Sequence, residues 1–233
     1  MSFINSKSPG GASEIASGPA PASRDTPVRA GRPTREQARA RQEVLLDCAL
    51  DHFLDKGFET ATIEAIAESV SMTKRTVYAR YPDKTALFRA AVRRGTERRA
   101  PDMDVIAATR AGTLEQTLVN IAMLRIALVS SLEGRKLQRL INTESYRFPD
   151  IFRTYYDVAA LPTVQFLAET LRHETAAGRL ATGDPMLAAN VFMSMAVSGP
   201  VRFILSGNEM TREDIDRRVR FAVRLFLKGA EPR

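Results

Sequence analysis

Five donor side chains within one short stretch carry the strongest chemical signal in the chain: Lys74, Arg75, Thr76, Tyr78 and Arg80. Side chains of these kinds donate to phosphate oxygens and to the edges of bases. Arg75 is the first candidate for a base contact, because a guanidinium fork matches both acceptors of a guanine edge; a phosphate contact is the alternative at that position. Thr62 and Thr73 are residues of the kind that cap helix N-termini, and Lys84 follows a third such residue, Asp83. The unpaired amides and the dipole at such ends attract an anion.

Catalytic chemistry has less to work with. The chain holds two histidines, His52 and His173, in separate helical patterns, and one cysteine, Cys48. No metalloprotease helix, nucleophile elbow, phosphate loop or dinucleotide fingerprint is present. The expectation is therefore a protein that is not an enzyme and uses neither cofactor nor metal. A single cysteine excludes an intramolecular disulfide and fits a reducing cytoplasm. No apolar run is expected to approach the roughly 18 residues of a membrane span, and the N-terminus lacks a signal-peptide pattern.

Charge is unevenly distributed. The net charge is +7, and residues 74–99 alone hold nine Lys/Arg against two acids. Residues 1–41 hold seven against three, whereas residues 42–73 hold one against seven. Such focusing is the footprint of a phosphate-binding surface, and a solvated helix face produces the same pattern.

The elements that must position these residues are all helical in pattern. Residues 1–34 are rich in Ser, Ala, Gly and Pro and read as a disordered basic leader. Within it Ala30-Gly31-Arg32-Pro33 resembles the core of a minor-groove AT-hook arm, with Ala30 in place of its first arginine; scattered Arg in an unstructured leader reads the same way. Beyond it the apolar residues recur at helical spacing and no stretch alternates like a strand. A first helix from about Thr34 ends at Gly57; a short one follows Thr62; a turn at Val70-Ser71-Met72 leads to a third from Thr73 to about Arg80; a fourth follows Asp83. Five more are expected at about 113–131, 135–146, 149–178 with a break near Pro162, 185–206 with a kink at Gly199-Pro200, and 212–228. The fold expected is all-α with about nine helices: a three-helix helix-turn-helix domain over 35–99, then a helical bundle over 100–233 forming a ligand pocket and a dimer interface.

Two short helices joined by a tight turn after a longer helix make a helix-turn-helix. The runs Phe53-Leu54-Asp55-Lys56-Gly57-Phe58, Thr62-Ile63-Glu64-Ala65-Ile66-Ala67, Met72-Thr73-Lys74-Arg75-Thr76-Val77-Tyr78 and Tyr81-Pro82-Asp83-Lys84-Thr85-Ala86-Leu87-Phe88 resemble the signature of TetR-type regulators over about residues 36–95. The resemblance implies phosphate contacts for Thr62 and Lys84, groove-facing roles for Thr73, Lys74, Arg75 and Thr76, and packing of Tyr78 and Tyr81 against the DNA backbone. Many relatives have glycine where this chain has Ser71; if that position needs positive φ, serine carries a steric cost there.

The C-terminal run Leu137-Gln138-Arg139-Leu140-Ile141, with Glu144, Arg147-Phe148-Pro149, Phe152 and Tyr155-Tyr156, is similar to the AefR-like branch of that family. This plan implies a small, largely apolar inducer, a homodimer and a pseudo-palindromic double-stranded operator. Candidate ligand contacts are Asn120, Met123, Leu124, Phe148, Phe152, Tyr155, Tyr156, Phe166 and Phe192, with Glu144, Asn190 and Met195 beside them; at helical spacing each also suits a core. Ile215, Val219, Ala222 and Phe226 form a stripe expected at the dimer contact. The function expected is a cytoplasmic, sequence-specific repressor released by its ligand. A ligand-responsive activator and a nonspecific architectural DNA binder are the alternatives.

Overall fold

A computed structural model describes residues 34–231. The leader and its Arg32-Pro33 motif lie outside the described residues. Every regular element described is helical, in ten continuous runs. Helix α1 spans Arg35–Thr60, α2 Ile63–Ser69, α3 Lys74–Tyr78 and α4 Lys84–Arg99. Thr34 opens α1 with a reciprocal capping box, its hydroxyl accepting from the Gln37 amide and the Gln37 side chain accepting from the Thr34 amide. Gly57 breaks the rod at φ 75°, ψ 170°, a conformation that only glycine adopts freely. The chain then turns and seats Phe58 in the core.

That core gathers Leu45, Leu50 and Phe53 of α1, Ile66 of α2, Val77 of α3 and Phe88 of α4. The Phe53 and Phe88 rings meet edge to face with centroids 5.0 Å apart, and Phe58 meets Phe88 at the same distance. Full burial of one such side chain is worth about 1.5–3 kcal/mol. Asp47 of α1 and Arg94 of α4 add a two-pronged link, Nε to Oδ1 at 2.7 Å and Nη2 to Oδ2 at 3.1 Å.

Eight further α-helices follow: α5 (Met103–Ala107), α6 (Leu114–Ser130), α7 (Leu132–Glu144), α8 (Pro149–Tyr155), α9 (Leu161–Ala176), α10 (Pro185–Met193), α11 (Gly199–Leu205) and α12 (Arg212–Gly229). The tenth run is α5, which the sequence pattern does not reveal. It is too short to show a helical period, and it is held by one buried anchor, Ile106. Ser131 ends α6 and begins α7, and the two axes differ by 82°. The bend needs Gly134, where a Cβ would come within 2.3 Å of the Leu128 carbonyl oxygen.

Both expected breaks are π-helical turns. Residues Tyr156–Ala160 join α8 to α9, and Ser194–Ser198 join α10 to α11. Each lies just ahead of a proline, Pro162 or Pro200. Proline has no amide to donate, and its ring crowds the carbonyl four residues back, so the preceding turn widens. In the first, the Leu161 amide reaches Tyr156, five residues back.

A second core forms around Leu118 and Ile121 of α6, Leu167 of α9, Phe192 of α10 and Val219 of α12. The first core extends past α4, because Leu137, Leu140 and Ile141 of α7 and Phe148 and Ile151 pack into it. Pro185–Leu205 is the one helical run among the described residues long and apolar enough to cross a membrane by composition, against the expectation that no apolar run approaches that length; Arg202 is its one charged residue. Only 33% of its apolar window is buried within the chain.

Candidate nucleic-acid interface and ligand cleft

The helix-turn-helix is built from caps. The Thr62 hydroxyl accepts from the Ala65 amide at 3.3 Å and opens α2. The Thr73 hydroxyl accepts from the Thr76 amide at 3.2 Å and opens α3. Asp83 accepts from the Ala86 amide at 2.7 Å and opens α4. Between α2 and α3 the chain reverses through Ser71 at φ 52°, the one positive-φ residue other than glycine among those described. The turn is closed by the Met72 amide donating to the Ala67 carbonyl at 2.8 Å.

Val77 anchors α3 in the core and turns its other face outward. Thr73, Lys74, Arg75, Thr76, Tyr78 and Arg80 are all exposed. The Thr73 and Thr76 hydroxyls lie 2.9 Å apart. Lys74 pairs with Glu64 of α2 and lies over the Tyr78 ring. That pairing raises the Lys74 pKa, through the hydrogen bond first and charge attraction second, and the same hydrogen bond is the main cause that lowers the pKa of Glu64. Tyr81 is buried, and its hydroxyl accepts from the Gln42 amide group at 3.0 Å. The Lys84 ammonium donates to the carbonyls of Glu59 and Ala61 at 3.0 and 3.1 Å and lies over Phe58. It thus closes the elbow between α1 and α2 while standing at the α4 N-terminus.

The basic stretch 74–99 divides in two. Arg89, Arg93, Arg94, Arg98 and Arg99, all on α4, pair with carboxylates of α1, α4, α7 or α8, and Lys74 of α3 pairs with Glu64 of α2. Among the described residues, Arg75, Arg80 and Lys84 have no carboxylate partner. Sequence charge alone does not separate these two sets, because pairing depends on which helices meet.

A cleft of about 370 Å³ opens in the C-terminal half, between α6, α7, α8, α10 and α11. Both π-helical turns contribute to its wall, with Tyr156 and Ala160 from one and Ser194, Val197 and Ser198 from the other. The Tyr156 hydroxyl donates to Asn190 Oδ1 at 3.1 Å. Of the expected ligand contacts, Phe152, Tyr155 and Tyr156 line this cleft, as does Asn190. The others lie elsewhere. Asn120 bridges Gln116 and the Thr109 carbonyl. Phe148 packs against Phe58 and Phe88, Phe192 against Phe226, and Phe166 lies beneath Arg110. Met123 packs on the second core, and Leu124 and Met195 are absent from the cleft lining. Arg125, at the floor of the cleft, escapes a search for apolar and aromatic residues. Its signal is a lone charge in the otherwise apolar run Ile121–Val129.

A capped helix-turn-helix with an exposed donor face, carried on a helical bundle with its own cleft, defines a DNA-binding regulator. Family models agree at both ends. One described as "Bacterial regulatory proteins, tetR family" matches residues 45–91. One described as "AefR-like transcriptional repressor, C-terminal domain" matches residues 116–229. The chain belongs to the TetR family of transcriptional regulators.

Relatives span nearly the whole fold. A TetR-family regulator of Mesorhizobium loti superposes with TM-score 0.70 at 27% identity, covering 86% of this chain and all of that one. The flavonoid-responsive regulator FrrA superposes with TM-score 0.66 at 29% identity, covering 84% of this chain and 99% of its own. The HTH-type transcriptional regulator YvkB of Bacillus subtilis is 25% identical over 188 residues, 79% of this chain and 94% of YvkB.

Proposed function

We propose that the protein is a homodimeric repressor whose operator binding is weakened when a small, largely apolar molecule fills the cleft. Residues 35–99 read DNA, and residues 100–231 bind ligand and the second copy. One observation carries the ligand half: α8 reaches both sites. Phe148, at its N-cap, is wedged between Phe58 and Phe88 with centroids 4.8 and 5.4 Å away, and Phe152, one turn on, lines the cleft. A ligand that displaces Phe152 moves Phe148 inside the core that orients α3 and α4. Ligand and DNA then oppose each other to the extent that their preferred positions of α8 differ. The flavonoid response of FrrA supports the reading.

In this reading Thr73, Lys74, Arg75 and Thr76 face the major groove, Thr62 and Lys84 hold phosphates, and Tyr78 packs against the DNA backbone, while Tyr81, buried with its hydroxyl on Gln42, supports α3 from within the domain. A second copy covers the exposed apolar residues Leu187, Val191, Phe221 and Leu225. This accounts for apolarity in Pro185–Leu205 beyond what the core uses. A two-fold dimer sets half-sites about 34 Å, or a multiple of it, apart. The work is done in the bacterial cytoplasm.

The test is to map bound sites in the native genome and measure affinity for the site with and without flavone and its hydroxylated derivatives. The expected result is tight, site-specific binding, lowered by ligand, with bound promoters more active when the gene is deleted. Lower promoter activity on deletion would make the protein an activator. Equal affinity for random duplex at every salt concentration would make it an architectural binder.

A further inference from the structure

The cleft carries a charge that no carboxylate among the described residues neutralises. Arg125 of α6 is only 5% exposed. One Nη donates to the Ala159 carbonyl at 2.7 Å, and the other reaches the Tyr155 hydroxyl at 3.4 Å. Both acceptors are neutral, and among the described residues no carboxylate pairs with Arg125. The second charged residue of the lining is Arg202, exposed on α11. The lining contains no Asp or Glu, so it holds two positive charges and no negative one.

A buried guanidinium without a counter-ion is costly, because the interior does not replace the water it has lost. Other arginines of this chain meet carboxylates: Arg94 has Asp47, and Arg99 has Glu133. Arg125 ends in a cleft instead. Around it the wall is mixed: Phe152, Val164, Val197 and Leu205 supply apolar and aromatic surface, and Gln138, Asn142, Asn190, Ser194 and Ser198 add neutral polar groups. Its volume of about 370 Å³ is at the small end of ligand sites.

We infer that the cleft takes a small monocarboxylate with an apolar body, its carboxylate paired with Arg125. The guanidinium plane presents donors in the fork that a carboxylate matches. Arg202 at the exposed edge adds attraction on entry, and the apolar body lies between the two π-helical turns. A neutral ligand fills the same volume and leaves the charge of Arg125 uncompensated. The inference rests on the reading of this cleft as a ligand site and adds the chemical class of the ligand.

Calorimetric titration of the full-length protein with octanoate and 2-naphthoate, each against its neutral amide, tests it. The native protein is expected to bind each acid at least about tenfold more tightly than its amide, the scale of a charge-assisted pair. In Arg125→Met, a change that keeps apolar bulk, the acid-to-amide ratio should fall to about one. Should that variant fail to fold by circular dichroism, Arg125→Lys carries the test: it keeps the charge but not the fork, and the acid preference should drop severalfold. Equal affinity of acid and amide for the native protein overturns the inference, as does a preference that is undiminished in whichever of these variants folds. If flavone binds and releases DNA while acids do no better than amides, the inference fails and the ligand cleft stands. If no probe binds, both fail.

Discussion

At the scale of single residues, position on the fold decides what each charge can do. Arg75 projects from α3 with no carboxylate partner among the described residues, whereas Arg94, a similar residue on α4, is engaged with Asp47. Arg75→Ala should cost roughly 1–3 kcal/mol on the operator and relax specificity at one base pair. Competition binding against a set of single-site operator variants reads this; a uniform loss on every sequence would reassign Arg75 to phosphate. Lys84→Ala should weaken binding evenly and reduce the slope of log affinity against log salt by about one charge. An unchanged slope, with only the melting temperature lowered, would leave Lys84 as the clasp on Glu59 and Ala61. Ser71 is held at φ 52°, where a Cβ is strained. Ser71→Gly should therefore raise stability by about 0.5–1 kcal/mol, measured by urea unfolding, with operator affinity unchanged. A loss of stability would mean that the turn relies on the serine side chain.

At the scale of elements, caps and prolines made most boundaries legible in advance. Thr62, Thr73 and Asp83 start their helices where expected, and Pro162 and Pro200 mark the two breaks. Such signals are local, acting within one turn of the residue that carries them. How helices are fastened to each other is not local. The Asp47 carboxyl is held below the usual carboxylate range, by the Arg94 hydrogen bond first and with help from Arg98, against the opposing effect of burial. The folded pKa is thus lower than the unfolded value of about 3.9. The stabilisation it provides is fully present above that unfolded value and disappears as pH falls through the lowered folded one. Asp47→Asn should cost about 0.5–1 kcal/mol at neutral pH, allowing for partial exposure, and should flatten the acid limb of stability below about pH 4. Thermal melts across a pH series check it; an acid limb as steep as the native one would refute it.

At the scale of the whole molecule, the outward face of α10 and α12 is the clearest departure from expectation. The stripe Ile215, Val219, Ala222 and Phe226, expected at a dimer contact, packs into the second core, with Val219 fully buried. Phe221 and Leu225, between those positions, are about half exposed, as are Leu187 and Val191 on α10. Helical period alone identifies an apolar stripe and says nothing about which body covers it. Leu225→Glu should convert the proposed dimer to a monomer in light scattering and weaken operator binding at least about tenfold, because two half-sites no longer act together. A dimer of undiminished stability would remove this face from the interface.

The sequence by itself determined the class of protein. Its donor cluster at 74–80, its capping residues and its helical period are local patterns, and each needs only a few neighbouring residues to be read. The all-α fold and the helix-turn-helix followed from them. Tertiary structure decided which of the nine basic residues in 74–99 are spent on holding helices together, which apolar stripe is core, and that Arg125 stands without an acid at the floor of a cleft. Those outcomes depend on partners distant in sequence. Burial and ion pairing are properties of two surfaces meeting, and a chain pattern describes only one of them.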